Sequence, residues 1–399
     1  MVDDIDTLVA VTPEAFREER NIDARILHEV TEIDLKGRRL QVRQLDGAKK
    51  EWWEPFDQLM IATGALPIKP AVPGADAQGI YGVNTLESGV AVRTVLDQQR
   101  PKRGVIVGGG YIGLEMAEAL VRRGMEVSLV EQAPQVMNTL DPDMGALVSE
   151  ALMAVGVQLY REESLQGFEV KNGRVEGVVT DQRTLPADIV ILGMGVRPHT
   201  ALAKRAGIPL GERGAIVVDE RQQTEMEGVW AGGDCGQSFH LVSRKPIHIA
   251  LATVANKQGK VAGINISGGS ATFPGVVGTA VSKICAVEVA RTGLQEREIE
   301  RLGWKYVGER IESSTRVEYY PGAGEITVKV LAEKGSGRLL GGQIVGYEGA
   351  AKRIDILATA LHGGMTVQEM VYLDLSYAPP YSPVWDPVLI AARQVEKLV

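Results

Sequence analysis

Gly104-Val-Ile-Val-Gly-Gly-Gly-Tyr-Ile-Gly-Leu-Glu-Met-Ala-Glu118 is the stretch around which the chain is organised. An apolar strand, Val105 to Val107, runs into Gly108-x-Gly110-x-x-Gly113, and an amphipathic helix carrying Leu114, Ala117 and Leu120 follows. Gly124 ends that helix, a second strand covers Val127 to Val130, and Glu131 closes it, eighteen residues after Gly113. A lone GxGxxG is a weak signal. Between strand and helix, with an acid about 20 residues on, it is the dinucleotide-binding fingerprint. Gly108 permits the tight turn, Gly110 lets backbone approach a pyrophosphate, and Gly113 lets helix and strand pack closely. The helix start then offers unpaired N–H groups to the phosphates. Glu131 is placed to accept both hydroxyls of the adenine ribose. Its charge repels a 2′-phosphate and no Arg follows it, so NADH is favoured over NADPH.

Composition narrows the function classes. The chain has 399 residues, enough for two or three domains, with 45% hydrophobic and 24% charged residues, as in a soluble globular protein. A net charge of −8, without any lysine or arginine block, disfavours nucleic-acid and acidic-membrane partners. Apolar runs such as Ile189 to Leu192 are too short to span a bilayer, and the acidic N-terminus has no signal-peptide h-region. The two cysteines, Cys235 and Cys285, form no CxxC or metal pattern. No metal is expected, and the default compartment is a reducing cytoplasm.

Outside the fingerprint, Thr12 reads as the N-cap of a helix that opens at Pro13. Ala24 to Glu32 and Arg39 to Gln44 alternate as in a small antiparallel sheet. Phe56 to Pro67 reads as a strand leaving through Ala62-Thr63-Gly64, and a similar string recurs from Ala187 to Pro198, leaving through Gly193-Met194-Gly195. This repeat predicts two nucleotide-binding domains built on one plan. Val229-Trp-Ala-Gly-Gly-Asp234 ends a short strand with an aspartate beside glycines, suited to sugar-like hydroxyls, and a helix is predicted over His248 to Gly263. From Thr272 the pattern becomes α+β. Strands are predicted at Gly275 to Ser282, Val287 to Thr292, Lys305 to Arg310, Thr315 to Tyr320 and Ile326 to Leu331, then helices at Ala350 to Leu361 and Val367 to Tyr372. A tail rich in Tyr and Pro closes the chain, and its tyrosines read first as interface or packing groups.

Taken together, Ala-Thr-Gly (62–64), Gly-x-Gly-Tyr-Ile-Gly-Leu-Glu (108–115), Gly-Met-Gly-x-Arg-Pro (193–198), Val-Trp-Ala-Gly-Gly-Asp (229–234) and Tyr-Ala-Pro-Pro-Tyr-Ser (377–382) resemble the pyridine nucleotide-disulfide oxidoreductases. The tail and Tyr319-Tyr320-Pro-Gly resemble most the CoA-disulfide reductase branch, near the NADH oxidases and peroxidases. The resemblance implies an α/β fold of two Rossmann-like domains, for FAD and for an inserted NADH domain, plus a C-terminal α+β dimerisation domain. The expected limits are 1–100 and 218–271 for the FAD domain, 101–217 for the NADH domain and 272–399 for the dimerisation domain. In the family, hydride passes from NADH to flavin and on to a redox cysteine that attacks a disulfide.

By the same resemblance, Asp234 holds the flavin ribitol, Thr63 and Gly64 lie near its nucleotide half, and the helix opening at Ala252 and Thr253 points at the flavin C2 carbonyl. Gly108, Gly110, Ile112, Gly113, Glu131 and Gly195 line the NADH side. Tyr111 is the aromatic gate, and Glu115 sits near the nicotinamide amide. Tyr377, with Tyr319 or Tyr320, reaches across a homodimer toward the partner's active site. Two departures stand beside these matches. No GxGxxG precedes Gly108, and neither cysteine falls in the family's Ser-x-x-x-Cys segment. The expectation is therefore an incomplete FAD domain lacking about the first 50 residues, one βαβ unit of roughly 30 residues plus the cysteine segment. The function expected is an FAD-dependent NADH oxidoreductase acting on CoA disulfide or a related small disulfide, polysulfide or oxygen. The alternatives are an NADH-binding dimer without disulfide chemistry, and a reductase that passes electrons to a partner protein.

Overall fold

The computed structural model describes residues 5–399, and the chain divides into two compact units. The first comprises the chain up to Gly64, His199–Gln237 and Leu251–Phe273. Its helix Pro13–Arg20 starts where the sequence predicts, with Thr12 Oγ1 accepting from the Ala15 N–H at 3.2 Å. Three antiparallel strands follow, His28–Asp34, Arg39–Gln44 and Glu51–Pro55. The third was not picked out from the sequence, because its Trp-Trp pair sits between charged residues rather than in a long alternating run. Beside this sheet, Leu59–Ile61 pairs in parallel with Val229–Ala231, and Ala252–Ile266 forms the long helix of the unit. Ile33, Leu59, Ile61, Ile216, Val229, Ala231 and Cys235 make its core.

The second unit comprises Ala65–Pro198, Ser238–Ala250 and Pro274–Val399. Its five-stranded parallel sheet has the order Ile80–Gly82, Ile189–Leu192, Arg103–Val107, Glu126–Glu131, Gln158–Arg161. The central strands read as unbroken apolar runs because parallel strands are covered on both faces; Val105, Ile106, Leu129, Ile189 and Ile191 are essentially unexposed. Helices Tyr111–Val121 and Pro142–Ala154 flank this sheet, and their core continues into Ile284, Val289 and Val345 of the C-terminal sheet. Burying one such Leu or Ile contributes roughly 1.5–3 kcal/mol, so the shared core makes a stiff platform for the fingerprint.

The domain limits read from the sequence differ from this division. Residues 65–100 belong to the second unit because Ile80–Gly82 pairs in parallel with Val190–Leu192, and residues 199–217 belong to the first. The two exits of the internal repeat meet each other, Ala65–Pro67 pairing antiparallel with Val196–Pro198.

The C-terminal sheet is antiparallel, in the order Ala280–Ile284, Val287–Gly293, Leu339–Gly346, Glu325–Glu333, Tyr306–Ser314, and helices Ala350–Gly363, Val367–Val371 and Pro387–Glu396 accompany it. Two departures from the sequence reading have local causes. Leu339–Gly346, to which the sequence reading assigns no element, holds three glycines yet is a central, buried strand in which Gly341 lies against the Leu294 backbone. Thr315 to Tyr320 is not a strand. Thr315 closes a loop instead, its N–H donating to Gly324 O at 2.8 Å and its Oγ1 accepting from the Gly324 N–H at 3.1 Å.

One buried histidine makes the stability of this unit pH-dependent. His240 is 3% exposed, its Nδ1 accepts from the Ser243 N–H at 3.2 Å, and burial, with Arg291 adding to it against Glu298, lowers its pKa to about 4. Because the folded value lies below the ordinary 6.5, unfolding takes up a proton between the two. Stability is therefore full above about 6.5, falls as pH drops toward 4 and levels off below, by about 3 kcal/mol in all. His240→Asn, which keeps an acceptor for Ser243 but does not titrate, is expected to flatten that part of the profile. Urea midpoints at neutral pH and near pH 4 check it; an equal fall in both proteins refutes it.

Candidate functional site

In the second unit, the fingerprint lies at the carboxyl ends of three adjacent parallel strands, where open α/β sheets bind their ligands. Gly108 has φ +103°, and a Cβ there would stand 2.5 Å from Gly193 O. A Cβ on Gly113 would run into Gly108 O. A Cβ on Gly110 meets no atom nearer than Gly193 O at 3.8 Å, so the space over Gly110 is open. The three glycines thus differ: Gly108 makes the turn, Gly113 the helix–strand contact, and Gly110 leaves its backbone open. Gly110 is the N-cap of Tyr111–Val121 and no side chain caps it, which leaves the first-turn N–H groups for an anion.

Glu131 does more than the sequence indicated. Its carboxylate accepts from Gly109 N–H at 2.7 Å and from Ala133 N–H at 2.8 Å, which fixes it at the edge of the loop. Tyr111 is half-buried, its hydroxyl accepts from Thr139 Oγ1 at 3.3 Å, and burial pushes its pKa up. Ile112 is half-buried beside it. Glu115 is exposed one turn on, and Ser282 Oγ donates to it at 3.0 Å. Gly195 has φ +88°, and its carbonyl accepts from Ile68 N–H at 3.0 Å. Gly193, Ala133 and the segment Met137–Asp141 also shape this edge. The repeated Gly193-Met-Gly195 was a signal for the first; the others act through backbone groups, which residue types do not reveal.

In the first unit, the parallel pair Leu59–Ile61 and Val229–Ala231 delivers Ala62-Thr63-Gly64 and Gly232-Gly233-Asp234 side by side at its carboxyl end. Thr63 Oγ1 donates to His199 O at 2.6 Å, Gly64 has φ +68°, and no atom would lie within 4 Å of a Cβ there. The Asp234 turn is tied to the helix Ala252–Ile266 by Gly233 N–H, which donates to Gln258 Oε1 at 2.8 Å. Ala252 and Thr253 are exposed at the start of that helix, which no side chain caps. These segments offer a hydroxyl, a carboxylate and uncapped helix N–H groups, a set of donors and acceptors compatible with the flavin half of FAD. Cys235 points the other way: it is unexposed, and its thiol donates to Ile61 O and Gly232 O at 3.4 and 3.3 Å. Cys285 sits in the second unit, in the hairpin turn after Ile284, where burial and then Glu118 raise its pKa. Burial of Cys235 and the raised pKa of Cys285 leave neither thiol suited to redox chemistry. Among the described residues no cluster of metal-ligating side chains occurs, and no helix is long and apolar enough to cross a membrane.

Tyr319, Tyr320 and Tyr377 are all exposed, on two segments of the second unit that touch: Val317 N–H donates to Pro379 O at 3.4 Å. Arg353, buried, holds both. Its guanidinium donates to Thr315 O at 2.7 Å, Tyr381 O at 3.0 Å and Asp386 Oδ2 at 2.8 Å. The tail lines an open pocket of about 410 Å³ with Tyr372, Asp374, Ser382 and Trp385 among its walls.

Comparison with known proteins agrees with this geometry. Residues 3–259 match the pyridine nucleotide-disulphide oxidoreductase family and residues 279–387 match its dimerisation domain, which supports a homodimer. The chain is 40% identical over 387 residues to the NAD(P)H sulfur oxidoreductase (CoA-dependent) of Pyrococcus abyssi, covering 97% of this chain and 85% of that one. It is 37% identical to an NADH oxidase of Methanocaldococcus jannaschii, over 98% of this chain and 87% of that protein. The solved structure of an NAD-dependent persulfide reductase from A. fulgidus superposes with a TM-score of 0.96 at 37% identity, covering 99% of this chain and 74% of that one. The expectation of a missing first FAD segment finds no support here, since the family match begins at residue 3. FAD and NAD(P)H are the cofactors of this family. Matches of this extent, on a fold that sets a glycine turn at the ends of its parallel strands, make the chain a member of the pyridine nucleotide-disulphide oxidoreductase family.

Proposed function

We propose that this enzyme is an NADH-dependent flavoprotein reductase that delivers electrons to a sulfur acceptor of the disulfide or persulfide class, CoA disulfide among them. NADH supplies a hydride by way of FAD, and with one proton from solvent the two electrons convert a disulfide to two thiols. The chain's own residues do the rest. Gly108, Gly110 and the open helix start bind the diphosphate, and Glu131 orients the ribose and discriminates against a 2′-phosphate. Tyr111 covers the nicotinamide position until the dinucleotide arrives. Asp234, Thr63, Gly64 and the start of the helix at Ala252 and Thr253 orient the flavin. Tyr377, Tyr319 and Tyr320 face the acceptor from the partner subunit, on the two segments that Arg353 braces. The observation that carries the acceptor class is the similarity, over nearly the whole chain, to proteins named for sulfur and persulfide reduction. A cytoplasmic setting suits two unpaired cysteines.

A second reading, direct passage of electrons to oxygen or another acceptor without a thiol, is favoured by the placement of Cys235 and Cys285 away from any redox role. Anaerobic NADH consumption separates the two. On the first reading CoA disulfide or polysulfide sustains turnover without oxygen; turnover only in air supports the second and removes the first. On either, Cys235→Ser and Cys285→Ser leave the rate unchanged, and loss of activity in either variant contradicts the assignment of both thiols as structural.

A further inference from the structure

The short segment Met137–Asp141 ties the fingerprint to the C-terminal sheet. On the fingerprint side, Met137 is unexposed with φ +50°, and its N–H donates to Gly109 O at 2.7 Å. Gly109 is therefore held through both of its backbone groups, since its own N–H goes to Glu131. Two residues on, Thr139 Oγ1 reaches the Tyr111 hydroxyl. On the other side the segment is held by residues of the C-terminal region. Asn138 O accepts from Gln295 Nε2 at 3.2 Å and from the Arg297 guanidinium at 2.5 Å. Asp141 N–H donates to Gln343 Oε1 at 2.7 Å, and Gln343 Nε2 donates back to Asp141 Oδ2 at 2.7 Å. Lys329 Nζ lies 3.3 Å from the same oxygen, and Asp141 Oδ1 accepts from Glu296 N–H at 2.9 Å.

Asp141 is 2% exposed and occupies the N-cap position of Pro142–Ala154. An aspartate there ordinarily accepts from the first turn of its own helix. Here no such bond forms, and both carboxylate oxygens are committed to the C-terminal region. The helix forgoes its own cap, and what it secures in exchange is the position of the segment that touches Gly109 and Tyr111.

We propose that Asp141, backed by Gln343 and Lys329, is a positioning residue for the dinucleotide, through which the domain that carries the dimer interface sets the NADH site. This rests on the reading of Gly108 to Glu131 as that site. Removing the Asp141 carboxylate loosens the segment, leaving it only the Asn138 carbonyl and the Asp141 N–H contacts to the C-terminal region, without orphaning Lys329, which keeps Asp143 at 2.8 Å and Glu296 at 2.9 Å.

The test is calorimetric titration of the FAD-loaded protein with NAD⁺, which involves no acceptor, alongside melting temperatures. Asp141→Ala is expected to weaken NAD⁺ roughly 5- to 20-fold, the lower part of the range for coupled sites. Gln343→Ala should weaken it in the same direction, and Asp141→Asn, which preserves shape and part of the hydrogen bonding, less than alanine. Thr139→Val combined with Asp141→Ala should fall short of the sum of the single effects, since both act through one segment. If Asp141→Ala does not fold, Gln343→Ala carries the test because it keeps the Asp141–Lys329 ion pair. Unchanged NAD⁺ affinity in the folded variants, whatever their melting temperatures, overturns the proposal. Failure of the wild type to bind NAD⁺ overturns instead the reading of the site, and a failed acceptor assay touches neither.

Discussion

Gly113→Ala is expected to cost both stability and NADH reactivity. The new methyl group would run into the Gly108 carbonyl oxygen, with Gly108 C at 3.2 Å and Ile106 Cγ2 at 3.4 Å. The backbone cannot retreat. Gly108 already sits at φ +103°, its N–H is bound to Val130 O at 2.8 Å, and Gly193 packs against Gly113 on the other side. Overpacking of this kind costs about 1–3 kcal/mol or more. A loop displaced by about 1 Å would slow flavin reduction by NADH roughly 100-fold. Gly110→Ala provides the contrast, since its methyl group enters open space within the protein but the space a diphosphate needs. It should keep the wild-type melting temperature and still lose NADH affinity. Melting curves and anaerobic stopped-flow reduction of both variants check the pair. A Gly113→Ala protein that melts and reacts like the wild type would refute the packing described for this helix.

The second large effect is expected at Glu131. On the proposed reading of the site NADH should bind well and NADPH poorly, the carboxylate meeting the ribose hydroxyls and repelling a 2′-phosphate. Glu131→Ala removes that contact and also the acceptor for two backbone N–H groups, of Gly109 and Ala133. Hydrogen bonds to a charged group are worth about 1.5–3 kcal/mol, so NADH affinity should fall by at least about tenfold, more than one ribose contact implies. Adding Gln132→Arg should recover NADPH rather than NADH. Titrating both nucleotides against the wild type and the two variants settles this, and equal wild-type affinity for NADH and NADPH refutes it.

What was legible in the sequence and what was not follows a physical line. The turn at Gly108 and the helix–strand contact at Gly113 could be read because both need backbone without a Cβ atom, and only one residue type provides it. The Thr12 cap and the Pro13 helix start were legible for the same kind of local reason. Contacts set by distant segments were not. Nothing near Leu339–Gly346 says that its glycines lie in a strand under the Leu294 backbone, and nothing near Ile80 says that it joins the sheet of Val105. Asp141 is the sharpest case. No motif marks it, and only the fold shows its carboxylate turned to Gln343, Lys329 and the Glu296 N–H. The tyrosines at 319, 320 and 377 could be grouped only through the family resemblance, and the support that their two segments share on Arg353 was not legible.

The most direct measurement is an anaerobic titration of the purified, FAD-reconstituted protein with NADH, followed by the visible absorbance of the flavin. A cradle built from Asp234, Thr63, Gly64 and the helix at Ala252, together with a fingerprint set for NADH, predicts a yellow protein that bleaches at one equivalent of NADH per flavin. Under the same conditions NADPH should bleach it far more slowly. A protein that holds no flavin after reconstitution, or whose flavin stays oxidised in excess NADH, would contradict the account.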